Sequence, residues 1–275
     1  MTAPPDVPDP VREVPVCRTG EAGARPAGPT RDLVVEERLV ELVLGGRTLA
    51  HLVCTPTALE DLALGFLVSE GLVAGPAAVF AMAVSADASK VEARADVDPD
   101  VLARFLERRA VATGCGGGVT GAADVLPRVE SDARFRPEDL SERVAEFQRA
   151  SVLFRETGGV HAAAVTDGHT LAALAEDIGR HNAVDRVIGR CLRQGLEPAR
   201  HALLTTGRTS GDIVAKAARV GFPVVVGRGA VTSRAIDLAR GAGLTLVGFA
   251  RGKRMNVYTA AWRLGLAEGG EGGSP

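Results

Sequence analysis

The sequence predicts an α/β protein in two parts, a parallel-sheet domain preceded by a smaller α+β unit. From His201 to Phe249 the chain alternates strand, helix, strand, helix, strand, a spacing that calls for helical crossovers between parallel strands. Between Leu33 and Arg109, short apolar strands around turn signals lie close to two helices, the pattern of a small, compact α+β unit. The 275 residues, 46% of them apolar, suffice for two modest domains with a substantial core.

Residues 1–30 hold seven prolines and almost no hydrophobic periodicity, so a disordered leader is expected there. Leu33 to Leu44 and Thr48 to Cys54 flank Gly45-Gly46 and predict a β-hairpin. Thr57 and Glu60 have capping-box spacing, and Leu62, Leu64, Phe66, Leu67 and Leu72 supply the apolar positions of the helix that follows. Strands at Val79 to Val84 and Lys90 to Arg94, then a helix from Pro99 to Arg109, complete a first unit spanning residues 31–110. Its one chemically suggestive residue is Glu70. Residues 111–136 read as a mobile glycine-rich loop and linker. A helix from Pro137 to Phe154, with Leu140, Val144, Phe147 and Val152 along one face, opens the second unit, residues 137–264.

Within that unit, Val160 to Val165 and Thr170 to Ala175 pair around Asp167-Gly168, a strong hairpin signal. Val184, Val187, Ile188, Cys191 and Leu192 then follow the rhythm of an amphipathic helix. Strands are expected at His201 to Thr205, Pro223 to Val226 and Leu244 to Phe249. Between them lie helices from Ser210 to Val220 and from Thr232 to Arg240, the latter ended by Gly241. Residues 265–275 read as a flexible tail.

No uncharged run approaches the roughly 18 residues of a membrane span, and residues 1–31 lack the apolar core of a secretory signal, so a cytoplasmic protein is expected. A formal charge of −2 argues against broad electrostatic binding of nucleic acid and leaves room for a local basic pocket. Cys17, Cys54, Cys115 and Cys191 have neither zinc nor disulfide spacing. Cys54 ends a strand and Cys191 lies on an apolar helix face, the setting of inert buried thiols. Cys115 differs, because Thr113 to Gly121 packs five glycines into nine residues around it. That composition puts the thiol on a mobile loop tip; the plainer alternative is a linker with an incidental cysteine.

The densest polar constellation is Glu176 to Arg186, with seven charged or hydrogen-bonding side chains in eleven positions, where a strand gives way to a helix. A helix start presents free N–H groups and the positive end of a dipole, which suits an anionic ligand; a well-capped helix with solvated charges is the alternative. Three glycine-arginine turns, Gly207-Arg208, Gly227-Arg228-Gly229 and Ala250-Arg251-Gly252-Lys253-Arg254, each follow a strand, so in a parallel sheet they share one edge. Arginine pairs bidentately with phosphate and glycine lets backbone approach it, so a pyrophosphate-containing ligand fits.

Thr157-Gly-Gly-Val-His-Ala-Ala163, Glu176-Asp177-Ile-Gly-Arg180-His181-Asn182-Ala-Val-Asp185, Leu244 to Phe249 and Asn256-Val-Tyr-Thr259 resemble the FdhD-type formate dehydrogenase accessory sulfurtransferases, as does Leu62 to Gly71. The resemblance covers about Leu33 to Trp262. It implies a three-layer, cytidine-deaminase-like α/β/α domain joined to a smaller β-rich N-terminal domain, in a homodimer. It further implies that sulfur is taken from a cysteine desulfurase as a persulfide on Cys115 and delivered to the molybdenum or tungsten bis(molybdopterin guanine dinucleotide) cofactor destined for formate dehydrogenase. The family's cofactor-binding segment falls on Phe249, Ala250, Arg251, Gly252, Lys253 and Arg254, with His161 and the Glu176 to Asp185 signature expected to line the same pocket. Arg208, Arg228, Arg251, Lys253 and Arg254 are the expected partners of the phosphates. Asp185 or Glu176 is the expected acceptor for a guanine edge, and His161 and His181 are either proton carriers or structural histidines.

One departure stands out. The family's loop carries Cys-x-x-Cys, whereas Cys115-Gly-Gly-Gly118 has a single thiol, which excludes resolution of a persulfide into a disulfide within the loop. A non-catalytic cofactor-binding chaperone is therefore the alternative reading. A zinc deaminase is not, because His161 is followed by Ala162-Ala163 and the chain has no Pro-Cys-x-x-Cys.

Overall fold

The computed structural model describes residues 9–17, 30–111 and 126–267. Cys115 and the glycine-rich run around it lie outside the described residues. The chain begins with β1 (Val11–Val16) and β2 (Thr30–Val35), which pair antiparallel and are tied by Arg31 to Glu13 at 2.7 Å. The expectation of disorder up to residue 30 is thus corrected for Val11–Val16: three valines and alternating charges give that segment a partner in β2 despite the prolines around it.

The first core is built on β3 (Arg38–Leu44), β4 (Arg47–Cys54), α1 (Leu59–Ser69), β5 (Val79–Val84), β6 (Lys90–Ala95) and α2 (Pro99–Val111). The strands form a four-stranded sheet in the order β4-β3-β6-β5, in which only β3 and β6 run parallel. Val40, Leu42, Leu62, Leu67, Val91 and Phe105 fill the space between this sheet and its helices. The capping box does not form: Ala58, at φ 41°, caps α1 without a side-chain bond, and Thr57 Oγ1 instead accepts from Arg186 at 3.1 Å.

The second part runs through α3 (Pro137–Ala150), α4 (Val152–Thr157), β7 (His161–Thr166), β8 (Leu171–Asp177), α5 (Arg180–Arg193), β9 (Ala202–Thr205), α6 (Gly211–Val220), β10 (Val224–Gly227), α7 (Ser233–Ala242), β11 (Thr245–Arg251) and β12 (Arg254–Val257). Six strands form one sheet, ordered β12-β11-β10-β9-β7-β8. β9, β10 and β11 are parallel, as the alternation predicts, whereas β7 is antiparallel to both its neighbours and β12 folds back on β11. Alternate strand residues divide between two cores. Ala163, Leu203, Val225 and Leu246 meet α5, α6 and α7, and Ala164, Leu204, Val226 and Val247 meet α3, so helices cover both faces. Of the expected linker, residues 126–136 are pinned to this domain, with Val129 N donating to Ala242 O at 2.8 Å and Phe135 N to Arg263 O at 2.9 Å.

Two boundaries differ from expectation. The helix predicted to run to Phe154 breaks at Ser151, which leaves Val152 45% exposed rather than on the core face. The last helix continues past Gly241 to Ala242, and Gly243, at φ 68°, closes it.

The two parts are joined where α1 crosses α5. A Cβ on Gly65 would lie 1.6 Å from Asp185 O, and one on Gly189 would lie 1.9 Å from Asp61 O. The helices therefore touch backbone to backbone, an approach that only glycine permits on either side. Among the described residues no helix is long and apolar enough to cross a membrane.

Candidate functional site

Because β7 runs against its neighbours, its first residue lies at the edge where β8, β9, β10 and β11 end. His161 is paired with Asp177, and Ala163 with Thr205. That edge gathers His161, Arg180 and His181 at the start of α5, Gly207-Arg208 after β9, Gly227-Arg228 after β10, and the β11–β12 turn. The three turns are laced together: Arg228 N donates to Thr205 O at 3.0 Å, Thr209 N to Ala230 O at 3.0 Å, Phe249 N to Gly229 O at 3.0 Å and Arg251 Nε to Arg228 O at 3.3 Å. A Cβ on Gly229 would lie 2.8 Å from Gly207 O, so this glycine serves the packing of one loop on another rather than the approach of a phosphate. The segment Ala250 to Arg254, expected as a turn after a strand, is the tight turn between β11 and an antiparallel β12. Phe249 is held at φ 51°, an uncommon conformation for an aromatic residue, and is 41% exposed at this edge.

Arg180, Arg208, Arg228, Arg251, Lys253 and Arg254 make no ion pair among the described residues, although the chain as a whole carries a formal charge of −2. Burial and the neighbouring Arg251 charge lower the pKa of Arg228. Among the described residues, buried side-chain atoms without a hydrogen-bond partner include Arg180 Nε, His181 Nε2, Thr209 Oγ1, Ser210 Oγ and Arg228 Nε, all at or beside this edge. Burial lowers the pKa of His161, helped by Arg180 and opposed by Asp177. Burial pushes His181 down to about 4, with Lys216 and Arg180 acting in the same direction. Both imidazoles are therefore neutral near pH 7, each with one donor and one acceptor nitrogen.

Several expected ligand-facing residues are committed elsewhere. Asp177 is fully buried and accepts from Arg186 at 2.5 Å, Gly179 N at 2.8 Å, Asn182 at 3.1 Å and Thr55 N at 3.2 Å. Asn182 also donates to Val53 O at 2.8 Å, and Arg186 to Thr55 O at 2.9 Å, so this trio grips the end of β4. Glu176 accepts from Leu153 N at 3.0 Å and Phe154 N at 2.8 Å, capping the first turn of α4. Asp185 is bonded through both oxygens to Lys216, at 2.8 and 3.0 Å, and accepts from Ser69 at 2.6 Å. The expectation that Glu176 or Asp185 accepts a guanine edge is corrected accordingly. Most of the acidic half of the signature holds the two parts of the molecule together, and the basic half, Arg180 and His181, remains at the edge.

Sequence reasoning missed Ser69, Thr209, Ser210 and Lys216. Lys216 had a signal: it is one of three lysines in the chain and interrupts the apolar run Ile213 to Ala218. The other three are small hydroxyl side chains with no pattern of their own. Cys54 and Cys191 are buried as expected, and burial pushes both thiols up to about 12.

The sequence model of the FdhD/NarQ family matches residues 35–265. The protein named sulfur carrier protein FdhD in Anaeromyxobacter dehalogenans is 40% identical over 271 residues, covering 88% of this chain and 92% of that one. Its namesake in Wolinella succinogenes is 34% identical over 261 residues, covering 93% and 90%. The crystal structure of a candidate formate dehydrogenase accessory protein from Desulfotalea psychrophila superposes with a TM-score of 0.75 at 24% identity, covering 93% of this chain and all of that one, and so shares the fold. With a match that runs through both cores and the arginine-lined edge, the chain belongs to the FdhD/NarQ family.

Proposed function

We propose that this protein is a sulfur carrier for formate dehydrogenase maturation, which accepts sulfur on Cys115 and binds the molybdenum or tungsten bis(molybdopterin guanine dinucleotide) cofactor as its substrate. The observation that carries the binding half is the set of six cations along one sheet edge that make no ion pair among the described residues, Arg180, Arg208, Arg228, Arg251, Lys253 and Arg254. Pyrophosphate groups supply the charge that this edge lacks. The exposed Phe249 offers a stacking surface for a purine, and His161 and His181 offer neutral donors and acceptors beside it. The sulfur half rests on the relatives' name, on the resemblance and on the glycine-flanked thiol. The layering of helices on both faces of the sheet agrees with the cytidine-deaminase-like kinship that the resemblance implies.

In the accepting step the Cys115 thiol gives its proton to solvent, and the thiolate attacks the outer sulfur of a cysteine desulfurase persulfide. A new S–S bond forms, the old one breaks, and the desulfurase thiolate leaves. In delivery the bond breaks with its electron pair returning to Cys115. The acceptor receives a formally neutral sulfur atom and supplies the pair that binds it. A lone thiol is sufficient for both steps. Homodimer formation and a cytoplasmic setting, where desulfurase and formate dehydrogenase are the protein partners, complete the reading.

Mass spectrometry of the intact protein and its peptides, after incubation with a desulfurase and cysteine, tests it. One labile sulfur atom on Cys115, absent from Cys17, Cys54 and Cys191, is the expected result. No addition, with a positive-control acceptor loaded in parallel, refutes sulfur transfer and leaves a cofactor-binding chaperone.

A further inference from the structure

Lys216 lies in the middle of α6, 2% exposed, and is held by two other helices. Its Nζ donates to Asp185 Oδ1 and Oδ2 on α5 at 2.8 and 3.0 Å, to Glu70 Oε1 at 2.6 Å and to Ser69 Oγ at 3.0 Å at the end of α1. Ser69 closes the ring by donating to Asp185 Oδ1 at 2.6 Å, and the ring of Phe66 lies 5.4 Å from the ammonium. Glu70 and Asp185 are as buried as the lysine, at 4% and 2%. Burial works against the lysine's charge, but Asp185 and Glu70 outweigh it and hold its pKa above the usual range.

Three buried charges are a poor way to hold helices together. Apolar side chains of similar volume usually serve as well or better, so stability alone does not account for this cluster. Its position does. Asp185 lies one helical turn beyond His181, and Lys216 lies five residues into α6; both helices start at the arginine-lined edge. We propose that Lys216 is a positioning residue for that edge, fixing the first turns of α5 and α6 against α1 and setting the electrostatic surroundings of His181. The inference rests on the ligand-binding reading given above. The charged and titratable groups that act on His181 are Lys216 from α6, Glu70 from α1, Arg180 from α5 and His161 from β7. Lys216 is the strongest of them, after burial itself.

The test combines calorimetric binding of guanosine diphosphate, as a probe for half of the dinucleotide, with proton NMR of the His181 ring, assigned through His181→Gln. In the wild type, the His181 signal is expected to stay constant from pH 8 to about pH 5, as befits an imidazole held well below its usual pKa. In Lys216→Met the onset of its titration moves to higher pH, because the cation is gone while Glu70 remains and burial still acts. Affinity for the probe falls about tenfold, a mid-range value for residues coupled through one network. An unmoved His181 onset or an unchanged affinity in folded Lys216→Met overturns the proposal. Should that variant not fold, Glu70→Gln decides: it keeps an acceptor for the lysine, and the affinity is expected to fall about threefold, a coupling at the low end of that range; an unchanged affinity overturns the proposal. Arg228→Ala and Arg251→Ala separate the two failures. If they lose the probe and Lys216→Met does not, only the positioning role is refuted. If the wild type does not bind the probe, the ligand reading fails and the His181 titration alone decides the inference.

Discussion

The crossing of α1 and α5 invites a direct test, because its geometry sets the size of the effect. Gly65→Ala places a methyl group 1.6 Å from Asp185 O, where about 3.4 Å is an ordinary contact, so the helices must part by about 1.8 Å. No side chain can yield, since the obstacle is backbone. A gap of 0.5–1 Å already forfeits roughly a quarter to a half of each dispersion contact, and here it would extend along the shared face of two helices. The separation also stretches the Ser69 to Asp185 bond of 2.6 Å and the Arg190 to Asp61 pair at 3.1 Å. Overpacking alone costs about 1–3 kcal/mol, and loosening the buried bonds brings the expected loss to about 3–5 kcal/mol. At roughly 2–4 °C per kcal/mol for a chain of this size, the midpoint of thermal unfolding should fall by about 10 °C. Circular dichroism melts of wild type, Gly65→Ala and Gly75→Ala provide the measurement. Gly75 has extended backbone, and a Cβ there would meet nothing within 4 Å, so its variant should melt within about 2 °C of wild type. A Gly65→Ala midpoint within that same margin refutes the backbone contact.

Two further expectations follow from the site. The His181 pKa is depressed from 6.5 to about 4, so between those values the unfolded chain binds a proton that the folded chain does not. Stability should therefore fall as the pH drops from about 6.5 to 4, by up to about 3 kcal/mol, and His181→Gln should flatten that part of a urea-unfolding pH series; an unchanged slope contradicts it. Glu176 caps α4 rather than meeting ligand, so Glu176→Ala should lower stability by about 1 kcal/mol while leaving affinity for guanosine diphosphate unchanged; a loss of affinity would restore Glu176 to the ligand site.

Much of the fold was legible because its elements follow simple periodicities. The strands β9, β10 and β11 are short apolar runs set off by helices, and the hairpin of β7 and β8 is announced by Asp167-Gly168. What resisted reading was decided by partners distant in sequence. Val11–Val16 becomes a strand because Thr30–Val35 lies beside it, and β12 because β11 does. Thr57 carries the local signature of a helix cap, yet it is bonded to Arg186, 129 residues away. The site divided in the same way. The arginine turns share an edge because strand direction alone puts them there. Asp177 and Asp185 have the same composition signal as ligand-binding acids, and only the three-dimensional partners, Arg186 and Lys216, show them to be structural. Buried ion pairs and exposed binding groups look alike in a sequence because both are charged.

Strand β7 gives the sheet a further property. A parallel array presents only strand ends at one rim, but the reversed β7 contributes its beginning there, and the steps between its six extended residues, at about 3.3 Å each, carry its other end about 17 Å away. The tip of the β7–β8 hairpin at Asp167-Gly168 is thereby at the opposite rim from His161, joined to it by strands whose core-facing residues are fully packed. Chain variation at that tip is insulated from the arginine-lined rim by the depth of the sheet, so the two ends of a single hairpin are free to diverge independently, the tip answering only to its own packing, where Gly168 is buried against Phe135 and Arg143 donates to His169 O.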